Sequence, residues 1–432
     1  MNVLRPFGRL ACAVSIASCG RSELTPVFDS SSASTSIAVD SHTDFIAVDR
    51  GFDWPATMVA DVARDHAADA ACASGRWTFG PVVTYATPNF SGDENGGPVL
   101  GAGDFDGDGT LDLLGLFTGP QAGAIWSNLG DGTFALRTTF AVDAQVYTVA
   151  VGDFNRDGLA DFALGFADSL KIVEVFTNQG NGSFEITSTF TVNNGAWGFV
   201  VEDFNGDGAP DLAISDGFEG LNLAFNRGDG IFPSVVNYGT QYLVEKMAVG
   251  DVNHDGALDI VATSAPFGSP SVGVLLNKGN GTFERAATYA GTCDDTGPIA
   301  LGDFNGDGWL DVVRSCWQSG DGVAVRMNNG DGTFGSETTY AVGPWPWGIA
   351  VGHFLTTDGP LDIAAVPILG AQYGGTGISV LPGIGDGTFG KMLGAGSPTS
   401  NIIVAGDFNG DGHADIAFSA FNSFGVLFFV CQ

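Results

Sequence analysis

The chain has 432 residues, among them 65 glycines and 33 phenylalanines, and its formal net charge is -33 at pH 7. An acidic excess of that size excludes a nucleic-acid backbone as partner. The length and apolar content allow a large core, and the glycines point to many tight turns.

At the N-terminus, Arg5 and Arg9 form a small basic region, Leu10 to Ile16 a short apolar one, and Ile16-Ala17-Ser18-Cys19 follows. The apolar run is too short to span a bilayer. The pattern resembles a bacterial lipoprotein signal over residues 1–18, which implies cleavage before Cys19 and acylation of its sulfur. An ordinary secretory signal cut nearby is the alternative. Gly20 after the cysteine favours, by analogy, an outer-membrane or cell-surface location over inner-membrane retention. Either signal exports the chain to a space that permits disulfides. Residues 19–77 read as a tether: Ser30 to Ser36 is low in complexity, and Pro55 to Ala71 has alanines and spaced aliphatics that allow one short helix.

From residue 78 onward the chain is organised by an acidic loop that recurs seven times, starting at Asp104, Asp153, Asp203, Asp251, Asp303, His353 and Asp407. The intervals of 48 to 54 residues are the period of a propeller blade or another stacked repeat. In the first copy Asp104, Asp106, Asp108 and Asp112 stand at loop positions 1, 3, 5 and 9. Oxygen side chains at that spacing, a backbone carbonyl at position 7 and a turn-permitting glycine at position 6 make a cage for Ca²⁺. Five copies keep the pattern with Asn at position 3: Asp153, Asn155, Asp157, Asp161; Asp203, Asn205, Asp207, Asp211; Asp251, Asn253, Asp255, Asp259; Asp303, Asn305, Asp307, Asp311; and Asp407, Asn409, Asp411, Asp415. The position-7 carbonyls would come from Thr110, Leu159, Ala209, Ala257, Trp309 and His413. An EF-hand would need Glu at position 12 and flanking helices, whereas position 12 of the first loop is Gly115 and the flanks are short apolar runs. The sixth copy departs: His353 and Leu355 replace the first two ligands, only Asp358 and Asp362 remain, and that blade is expected to lack metal. About six Ca²⁺ sites are therefore expected, and much of the acidity is metal ligand.

A second signature follows the loops: Asn128 to Phe134, Asn178 to Phe184, Asn226 to Phe232, Asn277 to Phe283, Asn328 to Phe334, and a variant from Gly383 to Phe389. It reads as a glycine-rich hairpin turn whose phenylalanine starts the next strand and is buried between neighbouring sheets. Each unit then contains four strands. The Gly-Asp-Phe-Asn-Gly-Asp-Gly-x-x-Asp loop followed by Asn-x-Gly-Asp-Gly-Thr-Phe resembles the FG-GAP/VCBS repeat family, which includes the calcium-bearing propeller of integrin α subunits. The resemblance covers residues 78–432. It implies an all-β, seven-bladed β-propeller of four-stranded antiparallel blades around a central channel.

The last repeat stops at Phe428 to Gln432, without its turn and fourth strand, while Gly75 to Tyr85 reads like that missing piece placed ahead of the first loop. The N-terminal strand is therefore expected to complete the seventh blade and close the ring. Alignment of the last blade on its predecessors pairs Cys72 with Cys431 across this closure. Cys293 precedes the first strand of its blade and Cys316 follows the second, which makes a second candidate disulfide. Free buried thiols are the alternative.

In a propeller the acidic loops crowd one face, and ligands of related propellers meet the other. Six residues before each acidic loop stand Pro98, Tyr147, Trp197, Glu245, Gly297, Trp347 and Asn401, with Trp317, Trp345, Tyr242 and Tyr373 in adjoining loops. These aromatics offer a platform for a glycan or a protein ligand, or else plug the channel. Catalysis has little support. His42 lies in the tether and His66 in the expected helix, His254, His353 and His413 sit in acidic loops, and the carboxylate spacing is explained by calcium. The expectation is a monomeric, non-catalytic surface recognition or adhesion module, touching a membrane only through its lipid anchor. A polysaccharide lyase and an envelope scaffold are the alternatives.

Overall fold

The computed structural model describes residues 77–86, 99–117, 122–142, 144–166, 171–217, 220–239, 244–264, 271–293, 297–316, 322–343, 345–356, 359–367, 377–395, 402–420 and 423–431. The signal, Cys19, the tether and its helix, Cys72, Pro98, Tyr242, Trp317, Asp358, Tyr373 and Asn401 lie outside these residues. Every regular element among the described residues is a strand, and the 28 strands form seven four-stranded antiparallel sheets.

Blade one runs Val99–Gly103, Asp112–Phe117, Ala122–Asn128 and Phe134–Ala141, from the innermost strand outward. Blades two to six repeat this order, opening on Val146–Gly152, Gly198–Glu202, Lys246–Gly250, Ile299–Gly302 and Pro346–Gly352. The innermost strands touch one another in sequence order, and Ile403–Gly406 of blade seven touches Val99–Gly103, which closes the ring. Each inner strand is covered on both faces by its neighbours. All six residues of Asp112–Phe117 are buried, whereas most of Phe134–Ala141 at the rim is not. That double covering is why the inner strands read as continuous apolar runs instead of alternating ones.

Blade seven is assembled from both ends of the chain: Trp77–Ala86 pairs with Ser423–Cys431, outside Asp415–Ala420 and Ile403–Gly406. The register slips between Phe79 and Val82, a bulge that accommodates Pro81, whose nitrogen has no proton for the ladder. Tyr85 stacks on Phe424 at 4.9 Å, and its hydroxyl accepts the Phe134 N–H at 3.2 Å, so the closing strand also grips blade one.

The turn phenylalanines bury against the preceding blade. Phe134, Phe184, Phe232, Phe283 and Phe389 meet Phe408, Phe105, Phe154, Phe204 and Phe304 edge-to-face at 5.4 to 6.2 Å. Phe429 takes this place against Phe354 at 5.4 Å where blade seven has no turn. Each such ring contributes about 2–3 kcal/mol of apolar burial. Glycine at the end of an innermost strand permits the approach of the next blade: a Cβ at Gly103 would lie 2.7 Å from Val151, and one at Gly406 2.7 Å from Leu111.

Blade five carries features of its own. The Cys293–Cys316 disulfide forms, with Cα atoms 5.4 Å apart, and joins the linker from blade four to the second strand of blade five. Beside it a buried Glu337 carboxylate accepts from the Arg314 guanidinium at 2.7 Å and from the Thr292 hydroxyl at 2.7 Å, with Arg326 at 3.7 Å. The side chain of Cys431 lies outside the described atoms, so the second pairing has no structural counterpart here.

Candidate metal centres

In each complete acidic loop the position-1 aspartate is wrapped by backbone N–H groups. Asp104 accepts from Gly107 at 2.7 Å and from Gly109 at 2.9 Å, and Asp203 accepts from Gly206 at 2.8 Å and from Gly208 at 2.7 Å. The same wrapping holds Asp153, Asp251, Asp303 and Asp407. The position-6 glycines that make it possible have positive φ, 87° at Gly109. The position-7 residues Thr110, Leu159, Ala209, Ala257, Trp309 and His413 each donate their N–H to the position-5 carboxylate at 2.8 to 2.9 Å.

Asp104, Asp106 and Asp108 bring one oxygen each within 4.8 Å of one another. Asp106 Oδ2 is engaged by Ser127 and Arg137, both at 2.7 Å, while Oδ1 is buried without a hydrogen-bond partner among the described residues. A buried carboxylate oxygen with nothing to accept, in a donor set made only of oxygens, fits a hard cation such as Ca²⁺. In four of the other loops the position-3 amide, of Asn155, Asn253, Asn305 and Asn409, donates to the position-5 aspartate at 2.9 to 3.0 Å. In the remaining one, Asn205 accepts the Asp207 N–H at 2.9 Å.

The position-9 aspartates do more than the spacing revealed. Asp112, Asp161, Asp211, Asp259, Asp311 and Asp415 are fully buried. Oδ2 of Asp112 accepts the Phe105 N–H at 2.9 Å, and Oδ1 accepts the Asn128 N–H at 2.8 Å. Asn128 then donates from its side chain to Leu111 O of its own blade at 3.1 Å and to Phe408 O, in the acidic loop of the preceding blade, at 2.7 Å. Its own Oδ1 accepts the Gly130 N–H at 3.0 Å, so all of its polar groups are used. The same latch recurs from Asn178 to Phe105 O, Asn226 to Phe154 O, Asn277 to Phe204 O and Asn328 to Val252 O, at 2.8 to 2.9 Å. The sequence marked these asparagines only as turn residues.

Blade six shows that position 9 serves the fold even where the other ligands are lost. Asp362 accepts from Phe354, Leu355 and Gly383 at 2.9 to 3.1 Å, although His353 and Leu355 replace the ligands at positions 1 and 3. Gly383 cannot latch, and a Cβ there would lie 2.2 Å from Leu361 O; Phe304 O accepts from Gly387 N–H instead.

Position 4 is glycine in four of the complete loops, but Arg156 and His254 hold positive φ there, 61° and 55°. Each lays its side chain on the next loop. Arg156 approaches Asp207 at 3.9 Å, and His254 stacks on Trp309 with ring centres 3.8 Å apart.

The described ends of the other two sets of connections lie at the opposite end of the blades. Tyr147 and Trp197 lie together there, ring centres 6.0 Å apart. Trp347 is buried at 4% exposure, which removes it from an open rim, whereas the nearby Trp345 is 42% exposed. Among the described aromatics, Tyr147 and Trp197 are paired, Trp345 is exposed and Trp347 is buried.

Two measurements probe the latch and its carboxylates. Asn178→Ala strips a donor from Phe105 O and Ala160 O and should lower unfolding free energy by about 2–4 kcal/mol, read by chemical denaturation, whereas the exposed Asn193→Ala should leave it unchanged. Burial pushes the carboxyls of Asp112, Asp161, Asp211, Asp259 and Asp311 up to about 7 and that of Asp415 up to about 9. A raised carboxyl favours the protonated folded state, so its contribution is complete below the unfolded value and is lost as pH rises through the folded one. Metal-free protein should therefore melt at a higher temperature near pH 5 than near pH 8, and excess calcium, which favours the ionised form, should reverse that slope.

Residues 104–164, 166–214, 203–262 and 251–314 match the FG-GAP-like repeat. No curated protein matches the chain. Among solved structures, it is similar to an Agrocybe aegerita lectin described as recognising non-reducing terminal N-acetylglucosamine, with 22% identity over 78% of this chain and 89% of the lectin, at a TM-score of 0.48. It is also similar in fold to BBS1N, solved in complex with ARL6DN and soaked with lead, with 11% identity over 82% of this chain and 96% of that one, at a TM-score of 0.54. The matched repeats, and the loops and turns that carry the same geometry on to Asp415, place FG-GAP-like repeats in a seven-bladed β-propeller.

Proposed function

We propose that this propeller is an exported, calcium-stabilised and non-catalytic recognition module, whose glycan or surface-protein ligand meets the face opposite the acidic loops. The observation that carries this reading is the division of labour between faces. The acidic loops lie at one end of the blades, and in blades one to five the Asn-led turns at that same end tie them together through the asparagine latch, which commits that end to holding the ring. The other end is free of this duty and carries the paired rings of Tyr147 and Trp197.

Calcium, when bound, would neutralise the clustered carboxylates at positions 1, 3, 5 and 9 of six loops and draw on the position-7 carbonyls. The chain's own residues set the cages through backbone N–H groups. Export follows from the N-terminal pattern and agrees with the Cys293–Cys316 disulfide. Anchorage through Cys19 would leave the propeller exposed on the envelope surface as an adhesin.

At pH 8, chelation with verified metal removal should lower the melting temperature, and calcium should restore it; a site filled at 100 times its Kd contributes about 2.7 kcal/mol. An unchanged melt would remove calcium from the account. A glycan array probed with labelled, calcium-loaded protein should give specific signal that chelation abolishes. Silence from folded, loaded protein would shift the ligand to a surface protein.

A further inference from the structure

The seam between blades two and three changes character along its length. Near the acidic loops it is apolar, built from Phe154, Phe199, Leu212, Ile214, Ala224 and Phe232. Side chains alternate along a strand, so residues 197, 216 and 222 project into the same seam as 199, 214 and 224. At the opposite face those residues are Trp197, Asp216 and Asn222, and the apolar seam ends in a polar group.

Asn222 is 1% exposed, its Oδ1 accepts from Asn237 Nδ2 at 3.0 Å, and its own Nδ2 is buried with no hydrogen-bond partner among the described residues. The equivalent third-strand residues of the other blades, found by the same cross-strand register, are Ala124, Glu174, Gly273, Ala324, Ser379 and Gly425. Only blade three places an amide there. Leaving such a donor unpaired is unfavourable, and a residue kept only for packing would not leave one.

The surroundings complete a site. Asp216, 1% exposed, accepts from Gly220 N–H at 2.8 Å and from Asn194 Nδ2 at 3.1 Å, which fixes its carboxylate. A Cβ on Gly220 would lie 2.7 Å from Asp216 Oδ2 and 2.9 Å from Asn237 Nδ2, so the two polar groups flank one glycine. The indole of Trp197 lies on Gly217, where a Cβ would meet three ring atoms at 2.8 Å, and Tyr147 stands beside it. Asn237 is exposed, and its hydrogen bond joins the buried Asn222 amide to a side chain at the surface.

We propose that this end of the seam is a binding subsite for a neutral hexopyranose, and the proposal rests on the glycan form of the recognition reading above. A pyranose has an apolar C–H face for an indole and adjacent hydroxyls that each donate and accept. Trp197 supplies the face, Asp216 the fixed acceptor, and Asn222 with Asn237 the donors. A protein side chain would use the ring but would not require a buried carboxylate paired with a buried unpartnered amide.

The test uses the full calcium-loaded chain and saturation-transfer NMR with the methyl glycosides of glucose, galactose, mannose and N-acetylglucosamine, followed by titration with whichever binds. Asn237→Ala, at an exposed position, should weaken binding by about two- to tenfold, the loss of one hydrogen bond. Trp197→Phe should weaken it further, and Trp345→Ala should leave it unchanged. Asn222→Leu should abolish binding while the melting temperature holds or rises, because an apolar residue removes the unpaired donor. Binding by wild type that survives Asn237→Ala, Trp197→Phe and Asn222→Leu would overturn this subsite and leave glycan recognition standing elsewhere on the face. Absence of wild-type binding to every probe and to the glycan array would overturn both.

Discussion

One buried chain of hydrogen bonds holds the ring: position-9 aspartate to turn asparagine to the carbonyl of the preceding acidic loop. A β-propeller has no hydrogen bonds between its blades' ladders, so blade-to-blade cohesion falls to side chains. Apolar packing supplies most of the energy but little registry. The asparagine supplies the registry, because its two N–H groups span two carbonyls on adjacent blades while the aspartate fixes its backbone. Five latches are present, and one of them, Asn128 to Phe408 O, crosses the closure between first and last blades. Where blade six lacks the amide, a glycine N–H and the aromatic contacts remain to hold that seam.

This arrangement ties the acidic loops to fold integrity. The position-2 carbonyl held by the latch lies between the oxygen-bearing side chains at positions 1 and 3, and the aspartate that anchors the asparagine is itself position 9. The geometry of one loop and the seating of the next blade thus depend on the same few atoms. Arg156 and His254 add direct contacts from loop to loop on the same face, in conformations that side chains adopt at a cost. The acidic loops and, in blades one to five, the latched turns occupy one end of the blades, which leaves the other end to vary.

Variation is concentrated in single blades. Blade five replaces apolar core residues with Arg314 and Arg326 around Glu337, whose carboxylate also holds Thr292 of the incoming linker, and adds the disulfide nearby. Burying two guanidiniums with one carboxylate is expensive unless every proton finds an acceptor; Ala290 O and Gly335 O accept from Nη2 and Nη1 of Arg326, while its buried Nε has no hydrogen-bond partner among the described residues and lies 3.7 Å from Glu337. Blade three instead places Asp216 and Asn222 at the seam's end. Each breaks a pattern that the other blades obey, and neither is visible as a motif.

The sequence by itself determined the blade count, the strand order, the N-terminal strand that completes blade seven, and the Cys293–Cys316 pairing. Repetition carries that information: a loop seen once is an ordinary turn, but copies about fifty residues apart cannot all be accidents of composition. The oxygen-rich donor set was legible for the same reason, since its spacing is local. The tertiary structure alone decided what depends on distant partners. It set the roles of Asn128 and its equivalents, whose acceptors lie 72 to 76 residues away in four cases and 280 in the fifth. It also buried Trp347 while leaving Trp345 exposed, and gathered Trp197, Asp216, Asn222 and Asn237 at one seam. Local spacing fixes which groups a turn can offer; only the packing of one blade on the next fixes what those groups meet.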